Sequence, residues 1–272
     1  MAATLTMSMR RNMTTEASGH APARAEREKR EYDEGTVHAE SDRLHRRFAH
    51  VFSCPNTLRG ERFFAQVISE RVPGARVLDY GCYDGWLYPT LAAHGPGEVV
   101  GIDISEKGIA AARAAYGHAA QYLVMDAHRL EFPDGAFDFV VGRAILHHLE
   151  FERAVREVYR VLRPGGCALF YEPIRGNPAG ALLRALTPRA RTADELPLSR
   201  RQLEWAAGLF GPASRSHFLN LVSVPVGMFT SVMASSPDNV LLRLADRVDQ
   251  LVSHTPLRYW MRQAVVCWER AA

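Results

Sequence analysis

Hydrophobic residues change their spacing near residue 75, and the change divides the chain into two parts with different predicted structures. Residues 1–28 carry Ala, Thr, Ser and charged residues without a sustained apolar stripe, which predicts a flexible tail. Within residues 29–74, two helical patterns cover His38–Val51 and Leu58–Arg71, with a breaker that contains proline between them. We expect these helices to form an N-terminal helical cap.

From residue 75 onward, short apolar runs alternate with amphipathic helical patterns, as in a parallel sheet covered by helices on both faces. The predicted strands are Arg76–Tyr80, Glu98–Ile102, Gln121–Met125, Phe137–Gly142 and Cys167–Tyr171. The helical patterns between them are Tyr88–His94, Glu106–Tyr116 and Phe151–Leu162. Successive strand and helix units of this kind predict a doubly wound, Rossmann-like α/β core within residues 75–272.

The alternation stops after the fifth strand. Residues 173–216 are rich in Pro, Arg and Gly and contain short helical patterns at Ala181–Leu186 and Arg200–Leu209. An insertion at this edge of a sheet is where a substrate lid would lie, so we predict a lid there. Beyond it, the pattern predicts two more strands on either side of a helix. In chain order these three elements are His217–Val224, Asn239–Val252 and Arg262–Trp268.

One uncharged stretch, Leu219–Ser236, could be mistaken for a membrane span. It contains Asn220, Pro225 and several hydroxyl side chains, and it is marginal in length for the ~20 predominantly apolar residues of a spanning helix. We therefore predict a core strand followed by a pocket wall, and no membrane span.

Composition narrows the class of protein. The 272 residues carry 33 basic and 30 acidic side chains, a balance that lacks the basic excess of a dedicated nucleic-acid binder. The four cysteines are far apart and form no Cys-x-x-Cys pair, which favours reduced thiols over a disulfide framework. Residues 14–30 are polar and charged where a signal peptide needs an apolar region. We expect a cytoplasmic protein without a nucleic-acid partner.

The most informative segment runs from Val77 to Gly85, where an apolar strand enters a turn. Gly81 and Gly85 let the backbone bend sharply and approach a ligand, and the next helix offers free N–H groups. A dinucleotide enzyme would have Gly-x-Gly-x-x-Gly here, which this chain lacks. Asp79 would accept from the ammonium group of an amino-acid ligand but would repel a phosphate. This favours S-adenosylmethionine (SAM) over NAD as the ligand.

Two further carboxylates follow the next two strands. Asp103 comes after the second strand, where an acid can accept hydrogen bonds from both ribose hydroxyls. Asp126 follows the third strand, and we expect it to accept from the adenine amino group. Either one alone could merely cap the following helix, but together, in this order, they predict a SAM site. The residues assigned to it are Asp79, Gly81, Cys82, Gly85, Asp103, Ile104, Asp126, Ala127 and Arg143.

These motifs resemble those of the class I SAM-dependent methyltransferases, in the small-molecule, methyltransferase type 11-like branch. The resemblance covers roughly residues 75–172, through Leu78–Gly85, Gly101–Asp103, Met125–Ala127, Phe132–Asp138, Leu146–Leu149 and Val161–Gly166. It implies a mostly parallel seven-stranded sheet with an antiparallel last strand. One position departs from the family, because Tyr83 stands where a second glycine is usual. Its ring would rest on the cofactor or point outward.

Methyl transfer from a sulfonium is an in-line displacement, so correct positioning of the acceptor supplies most of the catalysis, and an acceptor that carries a proton also needs a base. Glu172 follows the fifth strand, while His147 and His148 follow the fourth, at the ligand-binding edge. We favour Glu172 as the base. The alternatives are that Glu172 pairs with Arg175 or Arg143, and that His148 is structural. Adjacent histidines do not usually converge on one ion, so we predict no metal site.

The lid supplies the clue to the acceptor. Its arginines are interspersed with aromatic side chains, which suits either a solvated surface with an apolar inner face or an apolar pocket whose arginines meet an anionic group. The residues assigned to substrate binding are Tyr32, Trp205, Arg189 and Arg191. A homo-oligomer would form through the N-terminal cap.

These observations predict a SAM-dependent methyltransferase of a small, largely apolar metabolite in specialised-metabolite biosynthesis. One alternative is C-methylation of an isoprenoid or prenyl diphosphate, with Arg189 and Arg191 holding the phosphates. Another is a methyltransferase-like protein without activity, in which Tyr83 has spoiled the site. An RNA or protein methyltransferase would need a recognition module that the sequence does not indicate.

Overall fold

The computed structural model describes residue 43 and residues 45–177 and 196–272. Seven strands form one sheet within these residues. They are β1 (Arg76–Tyr80), β2 (Glu98–Asp103), β3 (Gln121–Val124), β4 (Phe137–Arg143), β5 (Leu162–Pro173), β6 (Arg215–Leu219) and β7 (Gln263–Glu269). The α-helices are α1 (Ala49–Ser53), α2 (Pro55–Arg71), α3 (Tyr88–Ala92), α4 (Glu106–Tyr116), α5 (Phe151–Val161), α6 (Arg200–Phe210), α7 (Ser223–Met233) and α8 (Val240–Ser253). Two 3-10 turns cover Leu146–His148 and Pro256–Trp260.

The strand order across the sheet is β3-β2-β1-β4-β5-β7-β6. The first five strands pair in parallel, while β7 pairs antiparallel with both β5 and β6. The prediction of a mostly parallel, seven-stranded α/β sheet with an antiparallel last strand is thereby confirmed. The order reverses between β1 and β4, and in this architecture ligands bind at the carboxyl ends of the strands around that point.

Helices cover both faces of the sheet because the strands carry apolar side chains on both sides. On one face, Leu78, Val140 and Phe170 belong to the core cluster that also contains buried residues of α5 and α6. On the other face, Val77 and Leu169 pack with α2. Successive residues of a strand point to opposite faces, so near-continuous apolar runs in the sequence indicate strands that are buried on both sides.

The N-terminal helices are separated by a single residue. Cys54 is extended, and α2 begins at Pro55, where a missing N–H has no consequence because the first helical N–H groups have no partner in the helix. The helix predicted at Leu58–Arg71 therefore starts later than the observed one. The predicted helix start at His38 and the predicted helix Ala181–Leu186 lie outside the described residues. The boundaries of the tail, cap and lid stay predictions.

The segment after β6 differs from its prediction. The strand expected at His217–Val224 is observed at Arg215–Leu219, and the following residues form α7. The predicted strand was therefore wrong beyond Leu219, whereas residues of α7 do line a groove, which they share with α8. Pro225 argued against a helix in this stretch, but it lies in the first turn of α7, where proline is tolerated. In the described part of the chain, no helix has the length and apolar character needed to cross a membrane.

Candidate functional site

Three carboxylates lie at the carboxyl ends of three neighbouring strands. Asp79 is the penultimate residue of β1, and Asp103 is the last residue of β2. Asp126 is the second residue after the end of β3. Because β3, β2 and β1 are adjacent in the sheet and parallel, these ends share one edge. The structure thus brings together the three acidic residues that the sequence assigned to one site.

Asp79 has a buried carboxylate with an unsatisfied oxygen. The residue is 2% exposed, and its Oδ2 has no hydrogen-bond partner among the described residues. Burial, together with the nearby charge of Asp103, raises the pKa of Asp79 to about 8. A buried acceptor without a donor is costly unless a ligand supplies one. The ammonium group of an amino-acid ligand has the charge and the hydrogens that this oxygen lacks.

The turn after β1 depends on left-handed backbone at three positions. Gly81 and Gly85 both have φ of +78°, and a Cβ on Gly81 would lie 2.6 Å from Cγ1 of Ile145. Tyr83 also has a positive φ, +46°, which a residue with a side chain adopts at a cost of about 1–2 kcal/mol. This conformation gives the physical reason for the glycine that is usual at this position. The turn is formed nonetheless.

The Tyr83 ring lies against the first turn of α4. A Cβ built on Gly108 would approach Cδ2 of Tyr83 to 2.7 Å, so only glycine fits beneath the ring. The sequence left two orientations of the ring open, on the cofactor or outward, and both stay predictions. Cys82, which precedes Tyr83 in the chain, is buried, and burial raises the pKa of its thiol well above the ordinary value.

Asp103 joins the two loops that border the site. Its Oδ2 accepts from the backbone N–H of Tyr83 at 3.0 Å, and its Oδ1 accepts from that of Ser105 at 2.8 Å. Ile104, which lies between Asp103 and Ser105 in the chain, is half-buried.

A histidine holds Asp126, and the sequence pattern did not lead us to it. Oδ1 of Asp126 accepts from both the backbone N–H and Nδ1 of His128, at 2.8 and 2.7 Å. Nε2 of His128 accepts from the N–H of Glu150, so the proton of the neutral ring is on Nδ1. The hydrogen bond from His128 holds the pKa of Asp126 below its ordinary value. Tyr80 fixes the same loop by donating to the carbonyl oxygen of Ala127 at 2.7 Å.

Glu172 and His147 form a buried pair at the end of β5. Glu172 is 0% exposed; its Oε1 accepts from the N–H groups of Ile145 and Leu146, and its Oε2 is 2.7 Å from Nδ1 of His147. Glu172 pairs with neither Arg175 nor Arg143, the two partners considered from the sequence. Its carboxylate is occupied by protein groups, which fits a residue that orients His147 better than the base we predicted. The ring of His148 lies beside that of His147, tilted by 41°, with 4.1 Å between ring centroids.

Arg143 connects the sheet to the N-terminal helices. Both of its terminal nitrogens bond to the carboxylate of Glu61, one of them at 2.8 Å, and its guanidinium lies 4.6 Å from the ring centroid of Tyr171. The Tyr171 hydroxyl is buried and has no hydrogen-bond partner in the described residues. Contact between Arg143 and a cofactor stays a prediction.

The residues assigned to substrate binding are not gathered by the described structure. Trp205 packs edge-on against Phe151, with 6.1 Å between ring centroids, and Arg156 lies over its ring. Tyr32, Arg189 and Arg191 lie outside the described residues, so their role stays a prediction. Within residue 43 and residues 45–177 and 196–272, no group of three or more His, Cys, Asp or Glu side chains could hold a metal ion.

Comparison with known proteins adds independent findings. A family model described as "Methyltransferase domain" matches residues 78–170. The chain is similar to a demethylmenaquinone methyltransferase of Thermus thermophilus, 40% identical over 114 residues, which are 40% of this chain and 51% of that protein. It is also similar to a malonyl-[acyl-carrier protein] O-methyltransferase of Enterobacter lignolyticus, 32% identical over 185 residues, or 64% of this chain and 69% of that protein.

Among solved structures, the fold is similar to that of a geranyl diphosphate C-methyltransferase from Streptomyces coelicolor A3(2). The TM-score is 0.56 at 14% identity, with 78% of this chain and 79% of that chain covered. At this identity the likeness concerns the fold alone. The chain spans about half the length of the first curated relatives that it matches, at 51%, 46% and 48%.

Proposed function

This chain belongs to the class I SAM-dependent methyltransferases, and we propose that it methylates a small, largely apolar metabolite with SAM as the methyl donor. The observation that carries this proposal is the buried, unsatisfied carboxylate oxygen of Asp79, at the end of β1. It lies on the same sheet edge as Asp103 and Asp126. A cationic amino acid that also carries a ribose and an adenine would match these three acceptors.

Each carboxylate has one proposed task. Asp79 binds the ammonium group of SAM, Asp103 accepts from its ribose hydroxyls, and Asp126 accepts from its adenine amino group. His128 supports the last of these tasks, because its two hydrogen bonds to Oδ1 set the orientation of the Asp126 carboxylate. Bound SAM supplies an electrophilic methyl group, so the protein itself needs no nucleophile for the transfer.

We propose that His147, with Glu172 as its positioning residue, takes the proton from an acceptor that carries one. Glu172 accepts from Nδ1 of His147, which fixes the proton of the neutral ring there and makes Nε2 the basic nitrogen. The backbone N–H groups of Ile145 and Leu146 hold the other oxygen of Glu172, so the carboxylate cannot turn away. This replaces Glu172 by His147 as the proposed base and keeps Glu172 in the reaction.

The substrate class is supported by the relatives rather than by a described pocket. The Thermus thermophilus relative is named for demethylmenaquinone, and other matches are named for sterols, both of which are largely apolar acceptors. We propose an acceptor of this kind. C-methylation of a prenyl diphosphate gains no support from the described residues, because Arg189 and Arg191 lie outside them.

Two measurements test the proposal. Calorimetric titration of the full chain with SAM should show saturable binding, and Asp79→Asn should abolish most of it. Incubation with methyl-labelled SAM and a metabolite extract from the source organism should then transfer label to small apolar molecules. Absence of binding by the unaltered chain would refute the cofactor, whereas label on macromolecules alone would refute the substrate class.

A further inference from the structure

Helix α8 buries both of its carboxylates and exposes three of its four leucines, since Leu242 alone among them is buried. Asp246 is 7% exposed and accepts from Arg59 at 2.7 Å and from Asn56 at 2.8 Å, both on α2. Asp249 is 0% exposed, while Leu244 and Leu251 are 50% and 72% exposed. This is the reverse of the arrangement that an amphipathic helix adopts on a water-facing protein surface.

The buried carboxylates fix this orientation. Asp249 accepts from three consecutive backbone N–H groups at the start of α7, those of Leu221, Val222 and Ser223. It thus satisfies donors that a helix leaves unpaired at its N-terminus. Rotating α8 to bury its leucines would break these bonds and those of Asp246. The exposed apolar side chains therefore belong to the folded state.

The exposed side chains of α7 and α8 form one continuous apolar surface, which we call the outer face. It consists of Phe229, Met233, Leu241, Leu244, Val248 and Leu251, and a groove between the two helices joins the two rows. The four residues from α8 follow helical spacing. The area is on the order of several hundred Å², as large as the largest apolar patch of a typical monomer, and such patches usually mark a binding surface.

The charge around the outer face is positive. Between residues 222 and 262 the chain has four arginines and three aspartates, of which Arg262 lies over the Phe52 ring inside the protein and does not belong to the outer face. Two of the aspartates are Asp246 and Asp249, which point into the protein, and the third, Asp238, pairs with Arg243. Arg247 is exposed one turn further along α8 and has no ion pair in the described part of the chain. Apolar side chains flanked by arginine are the pattern of helices that lie in a lipid interface.

We propose that the outer face docks onto the surface of an anionic lipid bilayer. Its leucine, valine and phenylalanine side chains would enter the boundary between headgroups and acyl chains, and Arg247 would meet a lipid phosphate. A second copy of the chain fits less well, because a two-fold axis through α8 brings the arginines of both copies together. The proposal is independent of the reaction that the protein catalyses.

Vesicle flotation of the full chain tests this. Binding is expected to vesicles of phosphatidylcholine with one-third phosphatidylglycerol, and at least about tenfold weaker binding to phosphatidylcholine alone. The double substitution Leu244→Glu/Leu251→Glu, at two exposed positions, should reduce binding to the anionic vesicles at least tenfold. Arg247→Gln should reduce it severalfold and weaken its dependence on salt. The matched control is Arg201→Gln, an exposed arginine on α6, which should bind as the unaltered chain does.

Three outcomes would overturn the proposal. The first is no flotation of the unaltered chain with either vesicle, and the second is equal flotation of the double Glu variant. The third is a dimer in light scattering that the double Glu variant dissociates, since the outer face would then bind a second copy. Calorimetric titration with SAM on the same samples monitors the fold and the cofactor site separately. Unchanged SAM binding by a variant that fails to float would place its defect on the outer face.

Discussion

The carboxyl edge of the sheet has two parts, which we name by their proposed roles. The cofactor side is formed by Asp79, Asp103 and Asp126, and the acceptor side is formed by His147 and Glu172. On the cofactor side, Asp103 and Asp126 each bond to a residue two positions further along the chain. On the acceptor side, Glu172 is bonded to groups 25 to 27 residues before it. Local contacts leave a motif in the sequence, whereas contacts between distant strand ends do not.

Replacing Asp79 by Asn is the strongest test of the cofactor side. We expect SAM affinity to fall by about 300-fold, because leaving one charge of a buried pair without its partner costs about 2–5 kcal/mol. Calorimetric titration measures this, and Asp134→Asn, an exposed carboxylate that pairs with Arg160, is the control. A loss below about tenfold would show that Asp79 does not hold the ammonium group.

The acceptor side is tested by Glu172→Gln. A glutamine can still accept from the N–H groups of Ile145 and Leu146, but its amide nitrogen would donate to Nδ1 of His147 and move the ring proton to Nε2. We expect kcat to fall by about a hundredfold, the usual size of a general-base contribution, and SAM affinity to stay within about threefold. Steady-state kinetics and calorimetry measure these quantities.

The matched control for this substitution is Glu152→Gln, an exposed acid in the first turn of α5. The pH dependence of kcat separates positioning from a purely structural role, because removal of a structural carboxylate would lower the rate equally at every pH. An unchanged kcat in Glu172→Gln would remove the His147 and Glu172 pair from the reaction.

The pKa of Asp79 supplies a further test of the cofactor side. Burial and Asp103 raise the pKa of Asp79 to about 8, so its carboxyl is mostly protonated between pH 6 and 7.5. The ammonium group of SAM binds the ionised form, so binding releases a proton and affinity should rise by up to about tenfold per pH unit in this window. Titrations in two buffers of different ionisation enthalpy measure the released proton, and Asp79→Asn should release none.

The same pKa has the opposite effect on the unliganded protein. A carboxyl whose pKa is raised on folding keeps its proton in the folded state after the unfolded chain has lost it. The Asp79 contribution to the free energy of unfolding therefore falls as pH rises from about 4 to about 8 and is constant above that. Denaturant titrations of the unaltered chain and of Asp79→Asn isolate this contribution. The free energy of unfolding of the unaltered chain relative to Asp79→Asn should fall over this pH range, and a rise would contradict the raised pKa of Asp79.

A smaller effect on stability is expected where the turn after β1 packs against α4. Gly108→Ala should lower the free energy of unfolding by about 1–2 kcal/mol, although alanine favours helices, because its Cβ would meet the Tyr83 ring. In a Tyr83→Gly background most of this clash is gone, and the same substitution should be close to neutral. Denaturant unfolding of the four proteins in this cycle measures the coupling. Equal losses in both backgrounds would show that the ring does not occupy that space.

The smallest expected effect is that of Tyr171→Phe. The Tyr171 hydroxyl is buried without a hydrogen-bond partner in the described structure, so removing it should leave the free energy of unfolding unchanged or raise it by up to about 1 kcal/mol. Thermal unfolding measures this. A marked loss of stability would reveal a partner for the hydroxyl, while lower kcat/KM at unchanged stability would extend the acceptor side to Tyr171.

The sheet and the cofactor side could be predicted because they depend on short-range patterns. Strand ends were correct to within about two residues for β1 to β4, since apolar runs and the polar residues after them mark the ends directly. Asp79, Asp103 and Asp126 were found because each follows such a run. Tyr83 was recognised as a departure, but its place over Gly108 depends on a contact between the turn after β1 and α4, which residue spacing does not contain.

Elsewhere the sequence misled us for identifiable reasons. Glu172 was predicted to be the base from its place after β5, but its backbone donors come from the turn after β4, which the sequence pattern does not reveal. The first two residues of α7 were assigned to a strand, because the polar residues and the proline of this stretch suit both structures. The inverted polarity of α8 could not be predicted, because it depends on α2 and on the start of α7, which lie elsewhere in the chain.

The order of the strands along the chain differs from their order in the sheet, and this affects how the protein can be made. β6 has no direct pairing with β5, because β7 lies between them although residues 220–262 separate β6 from β7 in the chain. During synthesis, the outer edge of β5 therefore stays unpaired while all of these residues are translated. An apolar strand with an open edge is a template for aggregation. Slower elongation through residues 220–262 would lengthen this exposure, whereas prompt release of β7 closes the sheet.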